Sequence, residues 1–368
     1  MAPINSTPIK NLLASKRIIV VLGSGGVGKT TSSIALALKA ASSGKTVGLM
    51  SIDPAKRLAE AMGLELGQKL RKVELPREIT GELHACMLDQ AAVFDSMVRR
   101  YTSRELASQI FENRVYQQVS RNLGGPLEYM AMAKLNDLIE QERFDLIVVD
   151  TPPDTHALDF LIRPNILAGF MEKGVMMWLI KPFIMARKMG LGRLMNFGEK
   201  MMGGIASVTG VRMLETLSEF LVLMEKVLEG FHTSGRNVAT TLRSDDTGFV
   251  ILSSPLSAST RSAMNLSQKL WDLGFPLHGV IVNRVTPMWV EQGLMDYWEG
   301  QHSLDLEGFT ESLDGLTRKT KVAQENIGKY KNHLESLWRQ KIPIVEVEEK
   351  DRVIHSLDGI LNFAQELS

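Results

Sequence analysis

The sharpest chemistry in the chain sits in one run: Gly23, Ser24, Gly25, Gly26, Val27, Gly28, Lys29 and Thr30, with Thr31 directly behind it. The spacing is a glycine, four residues, then Gly-Lys-Thr. Glycines let the backbone take positive φ, so consecutive N–H groups can converge on phosphate oxygens. A lysine at position 29 reaches the β- and γ-phosphates of a nucleoside triphosphate, and the Thr30 hydroxyl is a ligand for Mg²⁺. Two carboxylates extend the set. Asp150 closes the run Phe144–Val149, at the edge where α/β sheets gather their ligands, and would hold Mg²⁺ directly or through a water. The plain alternative for Asp150 is a helix cap or turn residue. Asp53 closes Val47–Ile52 and precedes Pro54, which is also a helix N-cap signature. Both readings of Asp53 can hold together, since a cap at that edge can also face the γ-phosphate.

These residues need strands that end at one edge and helices that start there. Short β-branched runs at Arg17–Leu22, Thr46–Ile52, Phe144–Val149, Gly248–Leu252 and Gly279–Val282 have the length and composition of buried parallel strands. Val73–Leu75, Leu83–Leu88 and Pro343–Val347 are further strand candidates. Strands alternating with helical stretches imply an α/β, doubly wound, mostly parallel sheet with helices on both faces. The run Ile18–Leu22 before the glycine loop and the helical pattern Thr31–Leu38 after it supply the context that the loop's chemistry demands.

A different texture fills Asn165–His232, which has no strand signal and is rich in methionine. Ten of the chain's 20 methionines lie between Met171 and Met224. Met213, Leu214, Leu217, Phe220, Leu221, Met224, Val227 and Leu228 follow three-and-four spacing, predicting an amphipathic helix. A second helical block at 288–340 places Ile327, Tyr330, Leu334, Leu337 and Trp338 on one face. The expected organisation is therefore a core in two parts, 1–164 and 233–368, around a Met-rich α-helical insertion at 165–232.

Composition removes several function classes. Lys plus Arg and Asp plus Glu balance at 42 each, so nothing in the overall charge draws the chain to nucleic acid or acidic lipid. A single cysteine, Cys86, excludes a disulfide framework and any Cys-x-x-Cys zinc or iron–sulfur site within one chain, and suggests a reducing cytoplasm. The most apolar stretch, Val175–Ala186, is broken by Lys181 and Pro182 and is shorter than the ~20 residues of a membrane span, so no integral span is expected.

The loop GSGGVGKTT closely resembles the deviant phosphate loop GKGGVGKT of one ATPase branch. That branch holds the arsenite-pump ATPase subunit, the tail-anchored-protein targeting factor and the Min/Par partitioning ATPases. SIDPAKRLAEAMG (Ser51–Gly63) resembles the first switch of the arsenite-pump/targeting-factor family, and DTPPDTHALDFL (Asp150–Leu161) its second. Asn283 in VIVNRV matches the family's adenine-reading asparagine, and IPIVEVEEKDRV (Ile342–Val353, with Pro343) resembles its closing strand and adenine loop. The chain also resembles bacterial members known as anion-transporting ATPases. The resemblance implies an ATP- and Mg²⁺-dependent dimeric ATPase. In it Asp53 orients the attacking water, Asp150 contacts the Mg²⁺ shell, and His156 lies in the second switch. Without the resemblance, His156 is an ordinary helix-start histidine and Asn283 a strand-end turn residue.

Two departures matter. Ser24 stands where the family has a signature lysine that reaches across the dimer to the partner's phosphates, and a serine supplies no charge there. A homodimer is then expected to hydrolyse slowly, unless Lys56 or Arg57 substitutes; a heterodimer with a related ATPase is the other solution. The cysteines that bind arsenite in the pump, and those that clamp a zinc between targeting-factor protomers, have no counterparts in NRVTPMWVEQGL or elsewhere. In the targeting factor, a helical insertion at this place forms a groove for transmembrane segments. The pairs Met176/Met177 and Met201/Met202 are the candidate client contacts here, since flexible, polarizable methionines suit variable apolar partners. The bland alternative is that they fill a helical core. A Par/Min-like positioning ATPase and a weakly catalytic regulatory subunit are the rival readings.

Overall fold

The computed structural model describes residues 7–53, 55, 57–67, 69–113, 115–117, 127–153, 208–286, 307–350 and 356–367. The chain divides into two compact units, one joining Met1–Met87, Leu138–Leu158 and Thr241–Ser368, the other joining Leu88–Asp137 and Asp159–Thr240.

The first unit is built on a sheet of eight strands. These are β1 (Ile18–Gly23), β2 (Thr46–Ser51), β3 (Arg71–Lys72), β4 (Glu82–Met87), β5 (Leu146–Asp150), β6 (Thr247–Ser253), β7 (Leu277–Val285) and β8 (Ile344–Glu348). They lie in the order β3-β4-β2-β5-β1-β6-β7-β8. Every pairing is parallel except β3 with β4. The α/β, doubly wound architecture expected from the sequence is therefore present. One strand is displaced: Arg71–Lys72 pairs with β4, and Val73–Leu75 does not extend it. Val73 still donates its N–H to the Leu83 carbonyl at 2.8 Å, but the chain then turns away. An antiparallel edge of two residues carries too little β-branched pattern to locate from sequence.

β1 is the point where the winding reverses. Its connection through α2 (Lys29–Ser42) leads toward β2, whereas the chain leaving β5 crosses to β6 on the other side. Such a switch point opens a crevice at the carboxyl ends of the strands. Ile19 and Val21 of β1, Val47 and Leu49 of β2, Val148 of β5 and Leu252 of β6 share one core with α2. Ile9 and Leu12 of α1 (Thr7–Ser15), Leu58 and Met62 of α3 (Arg57–Met62) and Ile360 and Phe363 of α10 (Leu357–Glu366) complete that core. The alternate residues Ile18, Val20 and Leu22 are buried on the opposite side, as strand pleating requires. There α8 (Ser257–Asp272) packs on β6, and α9 (Glu307–Leu337) packs on α8. Ile327, Tyr330 and Leu334 of α9 are buried as the spacing predicted, and Trp338 just beyond it is buried too. Tyr330 and Ser267 share a hydroxyl–hydroxyl bond of 2.8 Å between the two helices.

The second unit is helical in its described parts. It contains α4 (Gln90–Tyr101), α5 (Arg104–Glu112) and most of α6 (Leu127–Glu140) and α7 (Val208–Arg243). Asp89 caps α4 by accepting from the Ala92 N–H at 3.1 Å, and Ser103 caps α5 through Leu106. Phe94 stacks on Tyr116 and on Phe231, with centroids 5.4 and 5.8 Å apart. Tyr101 bonds Ser234 at 2.9 Å. Phe220, Met224, Val227 and Phe231 of α7 are buried at helical spacing, in line with the predicted stripe, and Leu228 is half-buried. Met224 is thus a core residue. Met176, Met177, Met201 and Met202 lie outside the described residues. No described helix is long and apolar enough to cross a membrane.

Candidate nucleotide site

The site is assembled at the carboxyl edge of β1, β2 and β5. Sheet register sets Asp150 of β5 beside Val21 of β1 and Ser51 of β2, so one carboxylate lies level with the start of the glycine loop. Gly23 ends β1 opposite Leu252, and a Cβ there would sit 2.5 Å from the Leu252 carbonyl oxygen. Gly28, immediately before α2, has φ 92°. That left-handed conformation is open to glycine and strained for other residues. The loop then feeds directly into α2, whose first residues are Lys29, Thr30 and Thr31, so the helix N-terminus faces the loop.

Lys29 is buried, and its Nζ donates to the Ser24 carbonyl at 2.8 Å, folding the ammonium back over the loop. Thr30 Oγ1 donates to Asp150 Oδ2 at 2.9 Å. The same carboxylate accepts from Ser51 Oγ at 3.0 Å and Ser33 Oγ at 3.3 Å. Asp150 is completely buried, and burial pushes its carboxyl up to about 6, against the opposing pull of these three hydroxyls and of the Lys29 charge. Beside it, Thr151 Oγ1 donates to the Val21 carbonyl at 2.7 Å and fastens the end of β5 to β1. The Thr30 hydroxyl and the Asp150 carboxylate form an all-oxygen pair of the kind Mg²⁺ prefers, one able to ligate directly and the other through water. The structure thus brings Lys29, Thr30 and Asp150 together.

Asp53 is buried just beyond β2. Its Oδ1 accepts from the Ala55 N–H at 2.9 Å, and its Oδ2 lies 3.4 Å from Arg57 Nη1. The first contact is an Asx turn; α3 begins only at Arg57, so Asp53 forms a turn here and not the helix N-cap expected from Asp-Pro. It engages one oxygen with a backbone N–H, leaving the other toward an exposed guanidinium. Pro54, Lys56 and His156 are outside the described residues. Ser24 is half-buried, and its hydroxyl lies 3.4 Å from Ser259 Oγ on α8. Asn283, at the end of β7, donates from Nδ2 to the Val27 carbonyl at 2.9 Å and so touches the loop itself. Pro343 is half-buried before β8, and its carbonyl accepts from the Val280 N–H at 2.9 Å.

Sequence reasoning did not single out Ser33, Ser51, Thr151 or Ser259. For Ser33 a signal existed, because it lies three residues after Thr30 and three-residue spacing puts both hydroxyls on one helix face. Ser51 closes the strand next to Asp150, a relation that only strand order reveals.

The family model described as "Anion-transporting ATPase" matches residues 16–314, which include the glycine loop, Asp53, Asp150 and Asn283. The chain belongs to the anion-transporting ATPase family. The sheet and glycine loop described above are therefore carried by a member of a family of ATPases. This family member is 28% identical over 283 residues to the ATPase ASNA1 homolog of Dictyostelium discoideum, covering 75% of each chain. It is 24% identical over 372 residues to the ATPase ASNA1 homolog of Babesia bovis, across 98% of this chain and 93% of the relative. To the ATPase GET3 of Malassezia globosa it is 27% identical over 279 residues, covering 75% of this chain and 76% of that one.

Proposed function

We propose that this ATPase binds Mg²⁺·ATP in the Gly23–Thr30 loop, hydrolyses it slowly, and uses the cycle to capture and release hydrophobic protein segments in the cytoplasm. The observation that carries the reading is the 2.9 Å bond between Thr30 and the buried Asp150, which joins the phosphate loop to a carboxylate at the sheet's switch point. Lys29 would leave the Ser24 carbonyl to meet the β- and γ-phosphates, and α2 would present its N-terminal amides. Mg²⁺, when bound, neutralises phosphate charge. Thr30 and Asp150 would hold it. Asp53 would orient the attacking water with the oxygen not committed to the Ala55 amide. Pro54 and His156 would carry the state of the γ-phosphate through the two switches, and Asn283 and Pro343 would face the adenine side.

The dimer and the client are the finer parts of this reading. In it residues 165–232 are a client-binding insertion in the ATPase core, and Met176, Met177, Met201 and Met202 line its groove. The support is the clustering of methionines in that segment and the similarity to the ATPases named above. Loss of γ-phosphate contacts on hydrolysis would then open or close the groove. A second reading, a weakly catalytic subunit paired with a related ATPase, is favoured by Ser24, whose hydroxyl is directed within its own chain to Ser259.

Co-expression with a protein bearing a hydrophobic helix tests the proposal. The wild type should retain that helix in a nucleotide-dependent way, and replacing the four methionines by Ser should abolish retention with the melting temperature little changed. If the replacements melt the protein early, by the ~2–5 kcal/mol expected for each buried Met truncated, and the wild type retains nothing, the groove reading is wrong.

A further inference from the structure

We propose that Asn283 is a positioning residue for the phosphate loop, holding the Val27–Gly28 backbone in its binding conformation whatever base the nucleotide carries. The inference rests on the phosphate-binding reading above and adds a role that reading does not need. Asn283 Nδ2 donates to the Val27 carbonyl at 2.9 Å, across 256 residues of chain. The contact is tight. A Cβ built on Gly28 would lie 2.6 Å from that same nitrogen, so the amide occupies the space next to the loop's left-handed residue. Val27 is buried and ends the turn, while Gly28 carries the φ of 92° that aims the following amides into α2. A donor fixed on the Val27 carbonyl sets the orientation of the Val27–Gly28 peptide, and with it the N–H that Gly28 can offer to a phosphate.

The local backbone of β7 is built to aim this amide. Arg284 has φ 62°, one of two non-glycine residues with positive φ among the described ones. The register of β7 on β8 shifts between Asn283 and Val285, so Arg284 forms a bulge. A left-handed residue in a bulge is strained for arginine, and bulges redirect neighbouring side chains. Here the Arg284 N–H, turned by the bulge, donates to Asn283 Oδ1 at 3.0 Å. Oδ1 is held by the strand's own backbone, which leaves Nδ2 directed at Val27. The Arg284 side chain is exposed, which assigns its importance to its backbone.

The test separates holding the loop from reading the base. Calorimetry on the full chain would compare Mg²⁺·ATP with Mg²⁺·tripolyphosphate, which has no base. Asn283→Ala should weaken tripolyphosphate by about tenfold, for one lost hydrogen bond that organises the site, and ATP by at least as much. Arg284→Val, which disfavours the left-handed bulge, should weaken tripolyphosphate severalfold relative to Arg284→Gly, which tolerates it. Both Arg284 variants remove the same charge, so the comparison isolates the backbone. They also decide the question if Asn283→Ala does not fold. Weaker ATP binding with unchanged tripolyphosphate binding in Asn283→Ala would overturn the proposal and leave only base reading, as would equal affinities of the two Arg284 variants. A wild type that binds neither ligand would overturn the phosphate-loop reading and this one together, whereas normal wild-type binding with unaffected variants refutes this one alone.

Discussion

Removing the charge of Asp150 should make the ligand-free protein more stable while disabling the site. Burial raises this carboxyl from the ordinary 3.8 to about 6, even with Thr30, Ser51 and Ser33 donating to it and Lys29 nearby. In the window from about pH 4 to about pH 6 the folded protein therefore binds more protons than the unfolded chain, and stability falls as pH rises. The contribution is fully present below the unfolded value and lost as pH climbs through the folded one. By about pH 8 the loss amounts to roughly 3 kcal/mol, from about 1.4 kcal/mol for each tenfold change in proton affinity. Asp150→Asn keeps the shape, removes the ionisation, and leaves three hydroxyls that can rotate to donate or accept. Melting in a chelator should then show the variant equal to wild type near pH 4 and several degrees more stable near pH 8, at about 2–4 °C per kcal/mol for a chain of this class. Mg²⁺·ATP should reverse the order, stabilising the wild type and not the variant. A variant less stable than wild type near pH 8 without ligand, or a difference that ignores pH, would refute the reasoning.

Two other substitutions probe the hydrolytic step. Asp53→Asn keeps the acceptor for the Ala55 N–H and loses only the 3.4 Å pairing with an exposed arginine, so stability should move by less than about 1 kcal/mol. Phosphate release should nevertheless fall at least ~10-fold with ATP affinity retained, and an unchanged rate per folded molecule would reduce Asp53 to its turn. Ser24→Lys gives up only a 3.4 Å hydroxyl contact with Ser259 and restores a charge able to reach a partner's phosphates. Turnover should rise by about tenfold or more if the homodimer lacks that charge, and a flat response would place the dependence on another group.

Much of the fold was legible because buried parallel strands need apolar β-branched runs on both faces, and β1, β2, β5, β6 and β7 have them. β3 was not, since two residues on an antiparallel edge need no such run. Lys29 and Thr30 could be read from spacing, and Asp150 from its place at a strand end. The hydroxyls around Asp150 could not, because a serine at the end of β2 acquires meaning only once β2 and β5 are neighbours. Asp53 shows why one residue type supports two readings: the oxygen that forms the Asx turn and the oxygen left over belong to the same carboxylate. Asn283 drew notice through resemblance alone, and its bond to Val27 joins residues whose sequence separation hides any pattern.

Every role assigned to the site requires Lys29 to serve a phosphate. Calorimetric ATP binding and phosphate release, both measured in Mg²⁺ on wild type and Lys29→Ala, test this most directly. Lys29 is buried with Nζ on the Ser24 carbonyl, so the variant's fold is checked by melting alongside. The wild type should bind and turn over ATP, and the folded variant should lose about 10- to 100-fold in affinity with the removal of a charge-assisted contact. Equal ATP affinity in a folded Lys29→Ala protein would contradict it.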